Sequence, residues 1–103
     1  MANHDLDPFS ALADPTRRSV FERLLAGPRS VQEIADGMPV SRPAVSQHLK
    51  VLRESGLVVA EERGSRRYYR PDPRGLARLH ADVERFWKRA LNAYERAVER
   101  RER

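Results

Sequence analysis

The sequence predicts a mainly α-helical domain with one small β-hairpin, its elements following the order α-α-α-α-β-β-α. Three observations point there. Capping residues mark helix starts at Asp14-Pro15, at Ser30 with Glu33, at Ser41 with Pro43 and at Asp72-Pro73. Two β-favouring runs, Leu57–Glu62 and Arg66–Arg70, flank the glycine turn Arg63-Gly64-Ser65. Apolar residues then recur every three or four positions from Leu76 to Val98.

In chain order, residues 1–7 lack periodicity and read as a frayed end that includes His4. A short helix from Pro8 to about Ala13 places Phe9 and Leu12 on one face. The next runs from Pro15, where proline gives up an amide that would go unpaired anyway, to about Ala26. It buries Val20, Leu24 and Phe21 and stops at Gly27-Pro28. Ser30-Val31-Gln32-Glu33 is a capping box opening a short helix to Asp36, with Val31, Ile34 and Ala35 inward. After Met38-Pro39-Val40, Ser41 caps a helix from Arg42 to about Ser55, closed by Gly56. Its inward stripe is Ala44 or Val45, then Leu49 and Leu52. Strand alternation puts Tyr68 and Arg70 on one face of the hairpin and Arg67 and Tyr69 on the other, with one tyrosine packing inward. The last helix, Pro73 to about Arg100, carries Leu76, Leu79, Val83 and Phe86 beside a second stripe of Trp87, Leu91, Tyr94 and Val98.

A chain of 103 residues suits a single domain spanning residues 1–103. At that size the core is marginal, and a subunit interface would add stability. No apolar run approaches the ~20 residues of a membrane helix, no leader pattern is evident, and a cytoplasmic protein is expected. The absence of Cys excludes disulfides, thiolate metal sites and a cysteine nucleophile. Three scattered His, and no glycine-rich phosphate loop or carboxylate pair, leave little for catalysis, so no enzyme and no cofactor are expected.

The net charge of +5 is unevenly distributed. Residues 1–40 hold 4 basic and 6 acidic side chains, residues 41–71 hold 7 and 3, and residues 72–103 hold 9 and 6. A polyanion would therefore meet mainly the middle segment, while the basic tail reads equally well as a solvated helix face.

The helices at 30–36 and 41–55, joined by the turn containing Gly37 and Pro39, form a helix-turn-helix, and the following hairpin makes it winged. The second helix enters a major groove N-terminus first. Ser41, Arg42, Pro43, Ser46, Gln47 and Lys50 lie on or beside its polar face. Gln suits adenine, Arg suits guanine, and Ser suits base edges or phosphate. His48, one turn from both Ala44 and Leu52, fits the edge of the core better than a base contact. Arg63, Arg66 and Arg67 crowd the hairpin turn and suit phosphate or the minor groove. Phe86, Trp87, Leu91 and Tyr94, with Phe9 and Leu12, exceed what a small core can cover and are candidates for a homodimer interface. Two recognition helices would then reach successive major grooves about 34 Å apart and read a palindrome. The alternative is a winged-helix interaction module that does not touch DNA, although Arg42, Gln47 and Lys50 occupy positions where acidic replacements would have indicated one.

The segments ALADPTRRSVFERLLAG, SVQEIADGMPVSRPAVSQHLKVLRESGLV and RRYYRPDP resemble the ArsR/SmtB family of bacterial winged-helix regulators over roughly residues 9–92. The resemblance implies a dimer built from the first and last helices, a palindromic operator, and repression relieved by a ligand, often a metal. Metal sensing does not carry over. Where soft-metal sensors of the family place cysteines, this chain has Val31-Gln32-Glu33-Ile34-Ala35. Other members use paired Asp and His ligands on the last helix. Here His80, Asp82 and Glu84 stand near the first pair, but Leu91 and Asn92 occupy the second. The wording ADPTRR and RPAVSQHLKVL resembles a metal-free branch, often encoded beside START-like proteins. The expected function is a homodimeric repressor that occludes its operator, answering to an unidentified small-molecule or protein effector.

Overall fold

The computed structural model describes residues 7–102. It contains α1 (Pro8–Ala11), α2 (Pro15–Arg23), α3 (Val31–Asp36), α4 (Arg42–Glu54), β1 (Val58–Arg63), β2 (Arg66–Pro71) and α5 (Pro73–Arg101), the order expected. The frayed-end reading for residues 1–6, and His4 with it, lies outside the described residues. Asp7 corrects that reading. Its carboxylate caps α1, accepting from the Ser10 amide at 2.9 Å and the Ser10 hydroxyl at 3.0 Å. A four-residue helix has little stability of its own, and here the cap joins burial of Pro8 and Ala11 in holding it.

Side chains cap the other helices too. Asp14 accepts from the Arg17 amide at 2.9 Å, Ser41 from the Ala44 amide at 3.3 Å and Asp72 from the Arg74 amide at 3.0 Å. Ser30 and Glu33 bond each other's amides at 3.2 and 2.9 Å, completing the capping box. Helix α2 ends at Arg23, earlier than Ala26. Leu24 and Leu25 instead donate to the carbonyls of Phe21 and Glu22 at 2.9 and 3.1 Å, tightening the last turn. That turn buries Leu24 and leaves Leu25 exposed.

The core lies between α2, α3, α4 and the root of the hairpin. Val20, Leu24, Ile34, Val45, Leu49, Leu52 and Leu57 are all but completely buried, and each of the larger side chains contributes roughly 1.5–3 kcal/mol by leaving water. In α4, Val45, Leu49 and Leu52 recur at 4 and 3, so one face is anchored and the other is left to solvent.

Strands β1 and β2 pair antiparallel, with Glu61 opposite Tyr68 and Arg63 opposite Arg66 across the turn at Gly64. Gly64 has φ +65°, a value glycine adopts without cost. A third, one-residue strand was not expected. Arg29 and Tyr69 exchange backbone hydrogen bonds of 3.0 and 2.8 Å, tying the α2–α3 loop to the hairpin while Tyr69 packs inward. A single bridging residue has no periodicity to reveal it.

The root of α5 is built against the α4–β1 turn. The Asp72 amide donates to the Leu57 carbonyl at 2.8 Å, Arg78 donates to the Ser55 carbonyl at 2.9 Å, and Gly75 lies directly on the Gly56 backbone. Leu76 and Leu79 rest against the core. Beyond Phe86, which still meets Phe9 of α1, α5 leaves the domain, which gives the molecule extents of 67 × 30 × 27 Å.

Candidate nucleic-acid interface

Burial of Val45, Leu49 and Leu52 turns the opposite face of α4 outward, so Arg42, Pro43, Ser46, Gln47 and Lys50 are all exposed. These are the side chains expected to meet bases and phosphates. Ser41 is exposed as well, but its hydroxyl oxygen is occupied as the cap of α4. Its hydroxyl proton stays free to donate, so it suits a phosphate oxygen rather than a base donor. His48 is half-buried at the edge of the core, and its Nδ1 is buried without a partner among the described residues. Arg53, which sequence reasoning passed over, is exposed one turn after Lys50 and extends the basic face.

In the hairpin, register places Val59, Glu61, Arg63, Arg66, Tyr68 and Arg70 on the outer face. The wing is basic, but its charges are largely paired. Glu61 accepts from Arg63 at 2.9 Å and from Arg70 at 3.2 Å, and Glu62 accepts from Arg67 at 3.1 Å. Arg63 also lies over the Tyr68 ring, 5.1 Å from its centroid. The hydrogen bonds from Arg63 and then Arg70 hold the Glu61 carboxyl below its ordinary range, so it is ionised at neutral pH. Of the expected wing residues Arg63, Arg66 and Arg67, only Arg66 has no carboxylate partner among the described residues. Glu61 and Arg63 stand as i and i+2 neighbours in β1, whereas the pairs Glu61–Arg70 and Glu62–Arg67 cross the hairpin and depend on register.

A separate apolar surface runs along α5. Phe86, Trp87, Leu91 and Tyr94 are 41–67% exposed, with Val83 at 44% and Phe9 at 43% beside them. Phe9 and Phe86 meet edge to face with centroids 6.1 Å apart, joining α1 to this surface. Leu12, expected there, is half-buried against the core and contributes less to the open face. His80 and Glu84 approach to 3.7 Å on the same helix. Among the described residues no group of three or more His, Cys, Asp or Glu is placed to share a metal, and no helix is long and apolar enough to cross a membrane.

Residues 12–60 match the model of the helix-turn-helix domain family. The chain is 54% identical over 91 residues to the HTH-type transcriptional regulator Rv2034 of Mycobacterium tuberculosis, covering 88% of this chain and 85% of that protein. The crystal structure of a possible transcriptional regulator for arsenical resistance superposes with a TM-score of 0.74 at 47% identity, over 79% of this chain and 84% of that one. The solution structure of a homodimeric winged helix-turn-helix DNA-binding domain from Mycobacterium bovis, from a possible ArsR-family transcriptional regulator, gives 0.64 at 33% identity, over 79% and 75%. Most of the fold thus recurs in relatives of similar sequence, and the chain belongs to the ArsR/SmtB family of winged helix-turn-helix transcriptional regulators.

Proposed function

We propose that the protein binds double-stranded DNA as a homodimer and represses transcription by occluding a palindromic operator. The observation that carries this reading is the exposed edge of α4, where Arg42, Ser46, Gln47 and Lys50 project from a helix clamped on its other side by three buried residues. A helix held so rigidly presents base-reading groups at little further entropic cost. Arg66 and the other wing arginines would follow the flanking backbone. Gln47 is assigned to a base edge, and Ser41, Arg42 and Lys50 to phosphates or adjoining bases. Pro43 starts the helix and shapes its approach.

The apolar face of α5 supplies the second half of the reading. Soluble monomers rarely expose contiguous aromatic surface of this kind, and a two-fold axis through it would set two α4 helices against successive major grooves. Phe9, Phe86, Trp87, Leu91 and Tyr94 are assigned to that interface, with Leu12 at its margin. Binding, not catalysis, is the proposed activity of this cytoplasmic regulator, a single winged helix-turn-helix domain. Its signal is assigned to a small molecule or protein.

Titrating the purified protein onto its own upstream DNA and onto random duplex at two salt concentrations tests the reading. Tight, salt-sensitive binding that favours the upstream fragment supports it. No binding to either at low salt overturns it in favour of an interaction module.

A further inference from the structure

Resting on the proposed DNA binding, the geometry points to Glu61 and Glu62 as internal competitors that limit the wing's attachment to the phosphates of DNA of any sequence. Both strands of the hairpin lie within residues 58–71, which carry four arginines and two glutamates. The two carboxylates take three of those arginines, leaving Arg66 as the one without an acidic partner among the described residues. A phosphate that approaches Arg63 or Arg70 must come within reach of the Glu61 carboxylate that both already hold, and one approaching Arg67 meets Glu62.

These pairs are solvent-exposed, with side chains 39–69% accessible, so they do little to hold the hairpin together. Their effect is on the field the wing presents. Sequence-independent binding depends on how many phosphates are neutralised, with a salt slope of about 0.9 per contact. A carboxylate lodged among the arginines removes that gain without touching contacts that α4 makes to bases. The wing then adds less to the affinity for any duplex, and more of the binding rests on the recognition helix.

The test uses the full chain with a random duplex and its upstream fragment, comparing wild type, Glu61→Gln, Glu62→Gln and the double variant across a salt series. Glutamine keeps the size while removing the charge and one of the two acceptor oxygens, so Glu61→Gln can no longer accept from Arg63 and Arg70 through separate oxygens. Each single variant is expected to bind the random duplex up to about eightfold more tightly near 0.1 M salt and to steepen the slope by up to ~0.9, the worth of one added phosphate contact. Affinity for the upstream fragment rises by a similar factor, because the added contacts are to phosphates and carry no sequence information. Arg63→Ala weakens binding more in the Glu61→Gln background than in wild type, whereas Arg66→Ala costs the same in both. Circular dichroism of each variant under the titration conditions assigns any gain in affinity to the folded protein. Unchanged or weaker random-duplex binding by the glutamine variants overturns the inference while leaving DNA binding intact. A wild-type protein that binds neither duplex refutes the proposed function itself.

Discussion

Replacing Gly75 by alanine separates two physical effects of opposite sign. Gly75 is the third residue of α5, and on intrinsic helix propensity alone Gly75→Ala should stabilise the protein by about 1 kcal/mol. The structure predicts the reverse. A Cβ at this position would penetrate the Gly56 carbonyl oxygen, lie 2.6 Å from the carbonyl carbon and 3.0 Å from Leu57 Cα. These are backbone atoms of a tight turn, and Gly56 itself has φ +85°, so neither side can yield by a rotamer change. The root of α5 must lift away, stretching the 2.8 Å bond from Asp72 to Leu57 and the 2.9 Å bond from Arg78 to Ser55. Overpacking costs about 1–3 kcal/mol and each weakened buried hydrogen bond about 0.5–1.5. With the propensity gain set against the middle of these ranges, a net loss of about 3 kcal/mol is expected. For a chain of this length that lowers Tm by roughly 12–24 °C. Thermal and urea unfolding followed by circular dichroism at fixed protein concentration measures it. Gly64→Ala is the comparison, since it is strained only by its left-handed backbone and has nothing within 4 Å. If Gly75→Ala matched or exceeded wild-type stability, the close approach of α5 to the turn would be wrong.

Gln47→Ala is expected to weaken binding to the specific site by about 1–3 kcal/mol and leave random duplex unaffected, as read by parallel titrations. Equal losses on both would remove Gln47 from base reading. Arg66→Ala combined with Arg67→Ala should lower affinity for all sequences and reduce the salt slope by about 1 rather than 2, because Glu62 already engages Arg67. Trp87→Glu should convert the dimer to monomer in sedimentation equilibrium and abolish tight operator binding, and a variant still dimeric would move the interface off α5. Stability should also fall in acid. The Arg17 and Arg74 amides hold the Asp14 and Asp72 carboxyls below their ordinary value of 3.8, so their contribution is complete above that value and disappears as pH drops through the lowered one. Unfolding midpoints measured from pH 6 downward for Asp14→Asn and Asp72→Asn should therefore show a shallower acid decline than wild type.

Local signals account for most of what could be read in advance. Asp14-Pro15, the Ser30–Glu33 box, Ser41 and Asp72-Pro73 act through amides two or three residues away, so their chemistry is complete within a short segment. The α4 stripe was legible for the same reason, since a 3.6-residue period decides which face is buried and therefore which face carries Gln47 and Lys50. Asp7 falls within the expected frayed end although Asp7-Pro8 repeats the Asp-Pro start seen at 14–15 and 72–73, and the end of α2 was missed because i+3 bonding in its last turn follows from the burial of Leu24.

The amino-acid sequence by itself determined the order of elements, the amphipathic recognition helix, the basic middle segment and the surplus of apolar residues on the final helix. Each of these follows from covalent neighbours and helical or strand periodicity. Only the tertiary structure decided that Arg29 bridges Tyr69, that Glu61 and Glu62 occupy three of the wing's arginines, and that Gly75 must lack a side chain. Those contacts join residues up to 40 positions apart, and long-range proximity is set by how the helices pack around Leu49, Leu52 and Leu57, not by any pattern along the chain.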